Sequence, residues 1–296
     1  MRAVVTGGAG FIGSHVVDAL LARGDEVHIV DSFATGRREN LNPAAELHEH
    51  DIREPLRPLF DRIRPEVVTH LAAQADVGTS VEQPELDAEV NVLGTLNVLE
   101  AARPHDAQVI FSSTGGAIYG ECDRPAREDD PRAPVSPYGT SKLAAEEYLA
   151  TWNRLYATRH VALRFANVYG PRQLPKLEGG VVSIFIDRLR GGEGITIYGD
   201  GEQTRDFVYV GDVVAAVLTA IGQQGGTFNI GTGTETSVNE LFEACRRIAG
   251  SEVQAEHAPL KPGDAIRSVV DVSRAERELG WRPQTALAEG LGLTWG

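Results

Sequence analysis

The chain has 296 residues, 42% of them hydrophobic, which is enough to bury a substantial core in one large domain or two unequal ones. Its 28 basic and 42 acidic residues give a formal charge of -14, which argues against a general nucleic-acid or anionic-membrane binder, because both need a basic surface. Cys122 and Cys245 stand far apart and the eight histidines are scattered, so no disulfide framework and no metal site are expected, and a reducing cytoplasm is the expected location.

A glycine-rich turn follows the first predicted strand. The apolar run at residues 3–5 leads into Gly8-x-Gly10-x-x-Gly13, and a helical pattern of apolar residues begins directly afterwards. In a dinucleotide-binding fingerprint, the missing side chains let backbone amides and the helix N-terminus approach a pyrophosphate. A plain glycine turn has the same appearance, so this motif alone leaves both interpretations open.

The second predicted strand, residues 26–30, ends at Asp31, eighteen residues beyond Gly13. A carboxylate at this position can accept hydrogen bonds from both ribose hydroxyls of an adenosine, whereas a 2'-phosphate would be repelled. NAD is therefore favoured over NADP. Arg37 and Arg38 leave NADP open, and a turn aspartate is the simpler alternative for Asp31.

Strands and helices alternate through the first half of the chain. Strands are predicted at residues 46–50, 67–71 and 108–111, with a helix at 86–102 between the last two. This alternation predicts an α/β fold with a Rossmann-type, doubly wound parallel sheet that binds its ligand across the carboxyl ends of the strands.

Tyr138 and Lys142 lie at the start of a predicted helix that follows a polar loop rich in proline and acidic residues. Residues four apart on a helix share one face. A cation beside a phenol stabilises the phenolate and lowers the phenol pKa towards the range of a general base. A surface pair with no chemical role is the alternative.

The regular alternation loosens after a sixth strand at residues 161–165. A helix at 181–189, a strand at 195–198, helices at 211–221 and 238–249, and a strand at 227–230 are predicted there. We therefore expect an NAD-binding domain at residues 1–165 and a smaller, mainly substrate-binding domain at 166–296, with the chain able to cross back between them.

Taken together, these motifs resemble the extended short-chain dehydrogenase/reductase family and, within it, the branch that acts on nucleotide sugars. The resemblance covers nearly the whole chain. It rests on Thr6-Gly-Gly-Ala-Gly-Phe-Ile-Gly13, Asp31, Ser112-Ser-Thr114, Tyr138-x-x-x-Lys142, Arg164-Phe-Ala-Asn-Val-Tyr-Gly-Pro-Arg172, the run from Gly199 to Phe207 and Pro262-Gly-Asp264.

The resemblance implies an isomerase that epimerises a UDP-sugar at C4 through a 4-keto intermediate, with UDP-glucose and UDP-galactose as the first candidates. Tyr138 would be the base, and Lys142 would lower the Tyr138 pKa and hold the nicotinamide ribose. Thr114 would hydrogen-bond the 4-oxygen, with Ser113 as its substitute. A homodimer formed through the helices near 86–102 and 139–157 is also implied.

The same resemblance implies a set of binding residues and no metal. The cofactor NAD would contact Gly7, Gly10, Phe11, Ile12, Gly13, Asp31, Ser32, Gly36, Asp51, Ile52, Leu71, Ala72, Ala73, Gln74, Asn91, Ser112, Tyr138, Lys142 and Phe165. The UDP-sugar would contact Thr114, Tyr138, Asn167, Gly180, Val181, Val182, Thr196, Tyr198, Arg205, Asp264 and Arg267.

Several other activities remain open at this point. A 4-epimerase of UDP-glucuronate or a UDP-N-acetylhexosamine would differ only in the shape of the sugar pocket. A nucleotide-sugar 4,6-dehydratase needs an acid and a base after the threonine, where this chain has Gly115 and Gly116. A 4-ketosugar reductase usually takes NADPH, which Asp31 disfavours. The non-enzymatic alternative is an NAD-sensing regulatory protein.

Overall fold

A computed structural model describes residues 1–175, 180–259 and 266–296. The strands are β1 Arg2–Thr6, β2 Glu26–Asp31, β3 Glu46–Glu49, β4 Val67–His70, β5 Gln108–Thr114, β6 Val161–Phe165, β7 Asn167–Tyr169, β8 Ile195–Tyr198, β9 Thr204–Arg205, β10 Phe207–Tyr209, β11 Gly226–Ile230, β12 Thr236–Ser237, β13 Ala255–Ala258 and β14 Arg267–Ser268. The helices are α1 Phe11–Ala22, α2 Arg57–Ile63, α3 Val77–Glu82, α4 Pro84–Ala88, α5 Gly94–Ala102, α6 Pro137–Tyr156, α7 Val181–Gly191, α8 Val210–Ala220, α9 Val238–Ala249 and α10 Leu287–Trp295.

Seven of the strands in the described ranges form one parallel sheet in the order β11-β6-β5-β4-β1-β2-β3. The order reverses between β1 and β4, which places a crevice at the carboxyl ends of these two strands. The predicted Rossmann-type α/β fold is confirmed.

Helices cover both faces of this sheet. Side chains of α1 and α8, among them Val16, Leu20 and Val213, pack on one face. Side chains of α2, α5 and α6, among them Phe60 and Leu99, pack on the other. Strands buried on both faces read as continuous apolar runs, which is how β1, β4 and β6 appear in the sequence.

Two of the differences from the predicted element boundaries lie beside the crevice. Strand β5 continues to Thr114, because Gly115 N donates to Phe165 O at 2.7 Å and keeps β5 paired with β6 to its end. The helix predicted at 86–102 is instead α4, a π-helical turn at Glu89–Leu93, and α5. Such a turn often marks a functional region of a helix.

The second half of the chain builds a smaller layer and also returns to the main sheet through β11. Helices α7, α9 and α10 pack with β8 around Phe185, Leu241 and Phe242. Strand β9 pairs with β12 and β14, β8 pairs with β13, and β7 pairs with β10. Within the described ranges, we find no helix that combines the length and apolar character needed to cross a membrane.

A buried ion pair joins α6 to β6. The Arg164 guanidinium donates to Glu146 from Nε at 2.9 Å and from Nη2 at 2.7 Å, and both side chains are almost inaccessible to solvent. Arg164 Nη1 also donates to the Tyr119 hydroxyl at 2.6 Å. Because every charge in this group is paired, the desolvation cost of Arg164 is offset only while Glu146 is present.

Replacing Glu146 with alanine is expected to lower the free energy of unfolding by about 3–5 kcal/mol, because it leaves an uncompensated buried guanidinium. The neighbouring Glu147 pairs with Arg132 at 2.6 Å on the surface and provides the control. Glu147→Ala should cost less than about 1 kcal/mol. Urea denaturation followed by circular dichroism measures both, and equal losses would contradict the role given to the buried pair.

Candidate active site

The glycine-rich turn after β1 has no room for side chains. A Cβ atom on Gly13 would lie 2.0 Å from the carbonyl oxygen of Gly7, and one on Gly7 would lie 2.7 Å from the amide nitrogen of Ala72. Gly7 also has a φ of +71°, which favours glycine. Helix α1 begins after Gly10 without a side-chain cap from the described residues, so its first-turn amides face the crevice as anion donors.

Asp31 ends β2 beside this turn and is held rigidly. Its Oδ2 accepts from Ala9 N at 2.9 Å and its Oδ1 from Phe33 N at 2.8 Å. A Cβ on Gly36 would come within 2.6 Å of Oδ1, so a larger residue at position 36 would displace the carboxylate. The side chain that was predicted to accept the ribose hydroxyls therefore has a fixed orientation.

A cavity of about 570 Å³ extends along the carboxyl ends of the strands. The predicted cofactor and catalytic residues that line it are Gly7, Gly10, Phe11, Ile12, Gly13, Asp31, Ser32, Gly36, Asp51, Ile52, Leu71, Ala72, Ala73, Gln74, Ser112, Ser113, Thr114, Tyr138, Lys142 and Phe165. Motifs spread over more than 150 positions of the sequence thus meet in one crevice.

Asn91 lies behind the wall of this cavity rather than in its lining. Its Nδ2 donates to Gln74 O at 2.9 Å and to Asp87 Oδ1 at 3.0 Å, and its Oδ1 accepts from Gln74 N at 2.9 Å. Ser141 of α6 completes the set at 3.1 Å. The π-helical turn that carries Asn91 therefore holds the backbone of the segment after β4 on the side away from the cavity.

Lys142 is buried between β5 and α6. Its Nζ donates to the carbonyl oxygen of Ser112 at 2.9 Å and lies 4.8 Å from the centre of the Phe111 ring. Burial lowers the pKa of Lys142 to about 8, while the negative charges of Asp87 and Glu146 act in the opposite direction. The ammonium is therefore mostly charged at pH 7 but close to its titration range.

Tyr138 has a pKa opposite in direction to the sequence prediction. Burial raises the pKa of Tyr138 to about 12, a hydrogen bond from Thr114 lowers it, and Asp87 raises it further. The sequence argument considered only the cation at the next helical turn. In the protein, the loss of solvent around the phenol outweighs the groups that favour the phenolate.

Thr114 and Ser113 differ in what they do at the end of β5. Thr114 is the hydroxyl that acts on Tyr138, since its interaction with the phenol lowers the Tyr138 pKa. The buried hydroxyl of Ser113 finds no hydrogen-bond partner within the described parts of the chain, although Ser113 also lines the cavity. Ser112 O accepts from Lys142, and Ser112 Oγ donates to His70 O at 3.1 Å.

His70 is a supporting residue that the sequence analysis missed. Thr6 Oγ1 accepts from Leu71 N and Ala72 N at 3.2 Å, so its proton goes to His70 Nδ1 at 2.7 Å. His70 Nε2 then donates to Thr95 Oγ1 at 3.0 Å. Burial lowers the pKa of His70 to about 3, so the ring is neutral. The signal in the sequence was the pair of polar residues, Thr6 and His70, at the ends of two buried strands.

Asn167, which was predicted to contact the UDP-sugar, lies near Thr114. A Cβ on Gly116 would stand 3.8 Å from Asn167 Oδ1 and 3.9 Å from Thr114 Oγ1, so both side chains border the same position. A Cβ on Gly115 would come 2.8 Å from Val270. Gly115 is therefore favoured by the close approach of Val270, whereas position 116 has room for a Cβ.

The other predicted substrate residues lie in the smaller layer, outside the lining of the cavity. Arg205 and Arg267 stand on the paired strands β9 and β14, where Arg267 is opposite Thr204. The guanidinium of Arg267 pairs with Glu235. Gly180, Val181 and Val182 form the start of α7, and Thr196 and Tyr198 belong to β8. Asp264 falls outside the residues that the structure describes.

Gln173 connects the cavity with the start of α7 and was not predicted. It lines the cavity, and its Nε2 donates to Val168 O at 3.1 Å. A Cβ on Gly180 would lie 2.5 Å from the same nitrogen, so the glycine before α7 makes room for this amide. The cavity and the predicted uridine side of the site are thus in contact through Gln173.

Known proteins match this chain along its whole length. A family model described as the NAD dependent epimerase/dehydratase family matches residues 3–231. The UDP-glucose 4-epimerase of Mycolicibacterium smegmatis is 46% identical over 304 residues, which is 99% of this chain and 97% of that protein.

Two solved structures share the fold closely. The UDP-glucose 4-epimerase of Thermotoga maritima, solved with UDP-glucose, has a TM-score of 0.97 and 46% identity and covers 100% of this chain and 97% of its own. The UDP-glucose 4-epimerase of Thermus thermophilus, solved with NAD, has a TM-score of 0.95 and 45% identity and covers 100% and 98%.

Proposed function

The chain belongs to the NAD-dependent epimerase/dehydratase family, and from that premise we propose that it epimerises a UDP-sugar at C4, with UDP-glucose and UDP-galactose as the first substrates. The observation that carries this proposal is the meeting of Tyr138, Thr114 and Lys142 with the glycine-rich turn in one cavity. Relatives of nearly the same length carry the same activity in their names.

The residues of the crevice fit NAD. The turn at Gly7 and Gly13 excludes side chains, the N-terminus of α1 offers amides for a pyrophosphate, and Asp31 offers a fixed carboxylate for a ribose. When bound, NAD supplies the acceptor for the hydride that leaves C4 and later returns it.

Tyr138 would take the proton of the sugar 4-hydroxyl at its phenolic oxygen and return it at the end of the cycle. Because burial disfavours the phenolate, the hydrogen bond from Thr114 matters for its stability, and the ammonium of Lys142 adds a positive charge on the same helix face. The carbonyl of Ser112 holds that ammonium in place.

Inversion at C4 requires a sugar that can present either face while its nucleotide stays bound. We assign the nucleotide to Asn167, the start of α7, β8, Arg205 and Arg267, with Asp264 as a further candidate. A guanidinium offers a fork of donors that matches a phosphate, which makes Arg205 the strongest of these. Such an arrangement holds the uridine side firmly and leaves the sugar free to turn.

The competing activities fit less well. A dehydratase needs proton-transferring side chains after Thr114, where this chain has Gly115 and Gly116, and Val270 leaves no space for a side chain at position 115. Asp31 disfavours the NADPH of a ketosugar reductase. Gly78 and Thr79 offer no cation for a uronate, and Thr79 lines the cavity.

The decisive experiment incubates the purified protein with UDP-glucose without added cofactor and separates the C4 epimers. Interconversion is expected, and Tyr138→Phe should lower its rate by at least about a hundredfold because the variant cannot accept the proton. Tyr156→Phe removes a hydroxyl from the exposed end of the same helix and is the matched control.

A requirement for stoichiometric reductant would overturn epimerisation in favour of reduction. Equal behaviour of wild type and Tyr138→Phe towards every UDP-sugar would favour the NAD-sensing regulatory protein instead. UDP-glucuronate and UDP-N-acetylglucosamine in the same assay decide which sugar is preferred.

Thr114→Val is expected to lower the rate at pH 7 by about 10–100-fold, because a hydrogen bond to a charged oxygen contributes roughly 1.5–3 kcal/mol. The same change removes a group that lowers the Tyr138 pKa, so the rise of activity with pH should move to higher pH. Ser113→Ala should cause the smaller loss. Full pH-rate profiles test this order, and a larger effect at Ser113 would reverse the assignment of the two hydroxyls.

We also propose a homodimer through the outer faces of α3, the π-helical turn and α6. Large apolar side chains are exposed there, including Val81 at 62%, Leu93 at 55% and Leu155 at 64%. Neighbouring apolar side chains exposed on one side of a molecule are typical of an interface. The chain itself has a mass of 31.9 kDa.

Light scattering at micromolar concentration is expected to give twice the chain mass. The double variant Val81→Lys, Leu155→Lys should have the mass of the monomer, because a dimer would bury the two lysine charges without partners. Leu293→Lys, on the exposed side of α10, is the control and should leave the mass unchanged. A monomeric wild type would refute the dimer.

A further inference from the structure

Two histidines and a glutamate meet where β2 pairs with the edge strand β3. His28 is opposite Glu46 in the parallel register, and His48 lies two residues further along β3. Residues two apart on a strand share a face, so all three side chains project to the same side. The sequence analysis expected no metal site because His28 and His48 are twenty positions apart and come together only through this register.

The possible ligand atoms lie close to the spacing of a tetrahedral metal site. His28 Nδ1 lies 3.1 Å from His48 Nε2 and 3.6 Å from Glu46 Oε2, and His48 Nε2 lies 3.6 Å from Glu46 Oε1. Zinc bonds of about 2.0–2.1 Å in a tetrahedron place neighbouring ligand atoms roughly 3.3–3.4 Å apart. One ligand atom from each residue lies within 4.8 Å of the other two, and each nitrogen faces one oxygen of the Glu46 carboxylate, so a small movement of that exposed side chain would complete three ligand positions.

Glu26 adds the outer partner that metal-binding histidines usually have. His28 Nε2 lies 3.1 Å from Glu26 Oε1, and a carboxylate can only accept, so this nitrogen carries the proton. The lone pair of His28 is then on Nδ1, the atom that faces His48 and Glu46. The carboxylate thus selects the tautomer that a metal site requires.

Two carboxylates border the pair of histidine rings, whose centres lie 5.3 Å apart in a stacked arrangement. The opposing carboxylates, Glu26 and Glu46, provide negative charge at the same place.

We propose that His28, His48 and Glu46 bind one divalent transition-metal ion, with zinc as the first choice, and that this ion ties β3 to β2. The residues of β3 are exposed or half-buried, so the strand has little apolar packing of its own. Two residues beyond His48, His50 lines the cofactor cavity, and β2 ends at Asp31. A metal here would stabilise the edge of the dinucleotide site from outside it.

The test uses the full chain without a histidine tag, freed of metal by chelation, and titrates it with Zn²⁺ by calorimetry. One ion per chain is expected, with a rise in Tm of at least about 2 °C at saturation. Glu46→Gln and His48→Gln should each weaken binding at least tenfold, and Glu46 is exposed enough that its variant should fold normally. Co²⁺ in place of Zn²⁺ should show the intense visible absorption of a tetrahedral site.

His105→Gln is the matched control, because His105 pairs with Asp61 at 2.9 Å in another histidine–carboxylate contact with no second ring. It should leave the affinity for Zn²⁺ unchanged. Equal affinity in wild type, Glu46→Gln and His48→Gln would mean an adventitious ion only and would overturn the proposal, as would no binding by the wild type. The experiment needs no sugar substrate, so its failure is separate from a failure of the proposed activity.

Discussion

The buried pair of Arg164 and Glu146 is the interaction on which the geometry of the site depends. Glu146 lies one helical turn beyond Lys142 on α6, and Arg164 lies on β6, the neighbour of the strand that carries Thr114. A displaced helix would leave two charges without partners in the interior, which costs several kcal/mol. Small movements of α6 are therefore resisted, and the distance between Tyr138 on the helix and Thr114 on β5 is fixed by an interaction that takes no part in the reaction. The hydroxyl of Tyr119 accepts from Arg164 and donates to Asn229 Oδ1. Asn229 lies on β11, so the same constraint extends to that strand.

A second constraint is steric and acts at the other end of the cavity. The turn after β1 packs against the start of α1 at Gly7 and Gly13, and against the segment after β4 at Ala72. These approaches are so close that the three segments have one possible arrangement. The chain uses glycine to bring backbone amides near a phosphate, and the neutral His70 beneath them keeps Thr6 oriented towards Leu71 and Ala72. The end of the cavity that we assign to the pyrophosphate is therefore built mainly from backbone, and the end with Tyr138 and Thr114 mainly from side chains of α6 and β5.

The sequence predicts most of the fold because its strands are short apolar runs punctuated by glycine and polar residues at their carboxyl ends. Asp31, Gln74 and Thr114 could be placed at one edge of the sheet from that pattern alone.

The pKa of Tyr138 could not be predicted, because its main cause is burial, which depends on elements distant in sequence. The cluster of His28, Glu46 and His48 was missed for a related reason, since only the register of two parallel strands brings it together. The end of β5 was placed too early because Ser112, Ser113 and Thr114 look like loop residues until their pairing with β6 is known.

Burial shifts the pKa values of Tyr138 and Lys142 in opposite directions, and it favours the neutral form of both groups. It raises the pKa of Tyr138 to about 12 and lowers the pKa of Lys142 to about 8, so in the protein itself each group is moved towards its neutral form. In the same low-dielectric surroundings, however, any added positive charge acts strongly on the phenol. A positive charge already lies one helical turn from Tyr138, in the ammonium of Lys142 that the carbonyl oxygen of Ser112 holds. Thr114, on β5, also lowers the pKa of Tyr138. The pKa of Tyr138 therefore depends on the position of α6 relative to β5, which the pair of Arg164 and Glu146 keeps fixed.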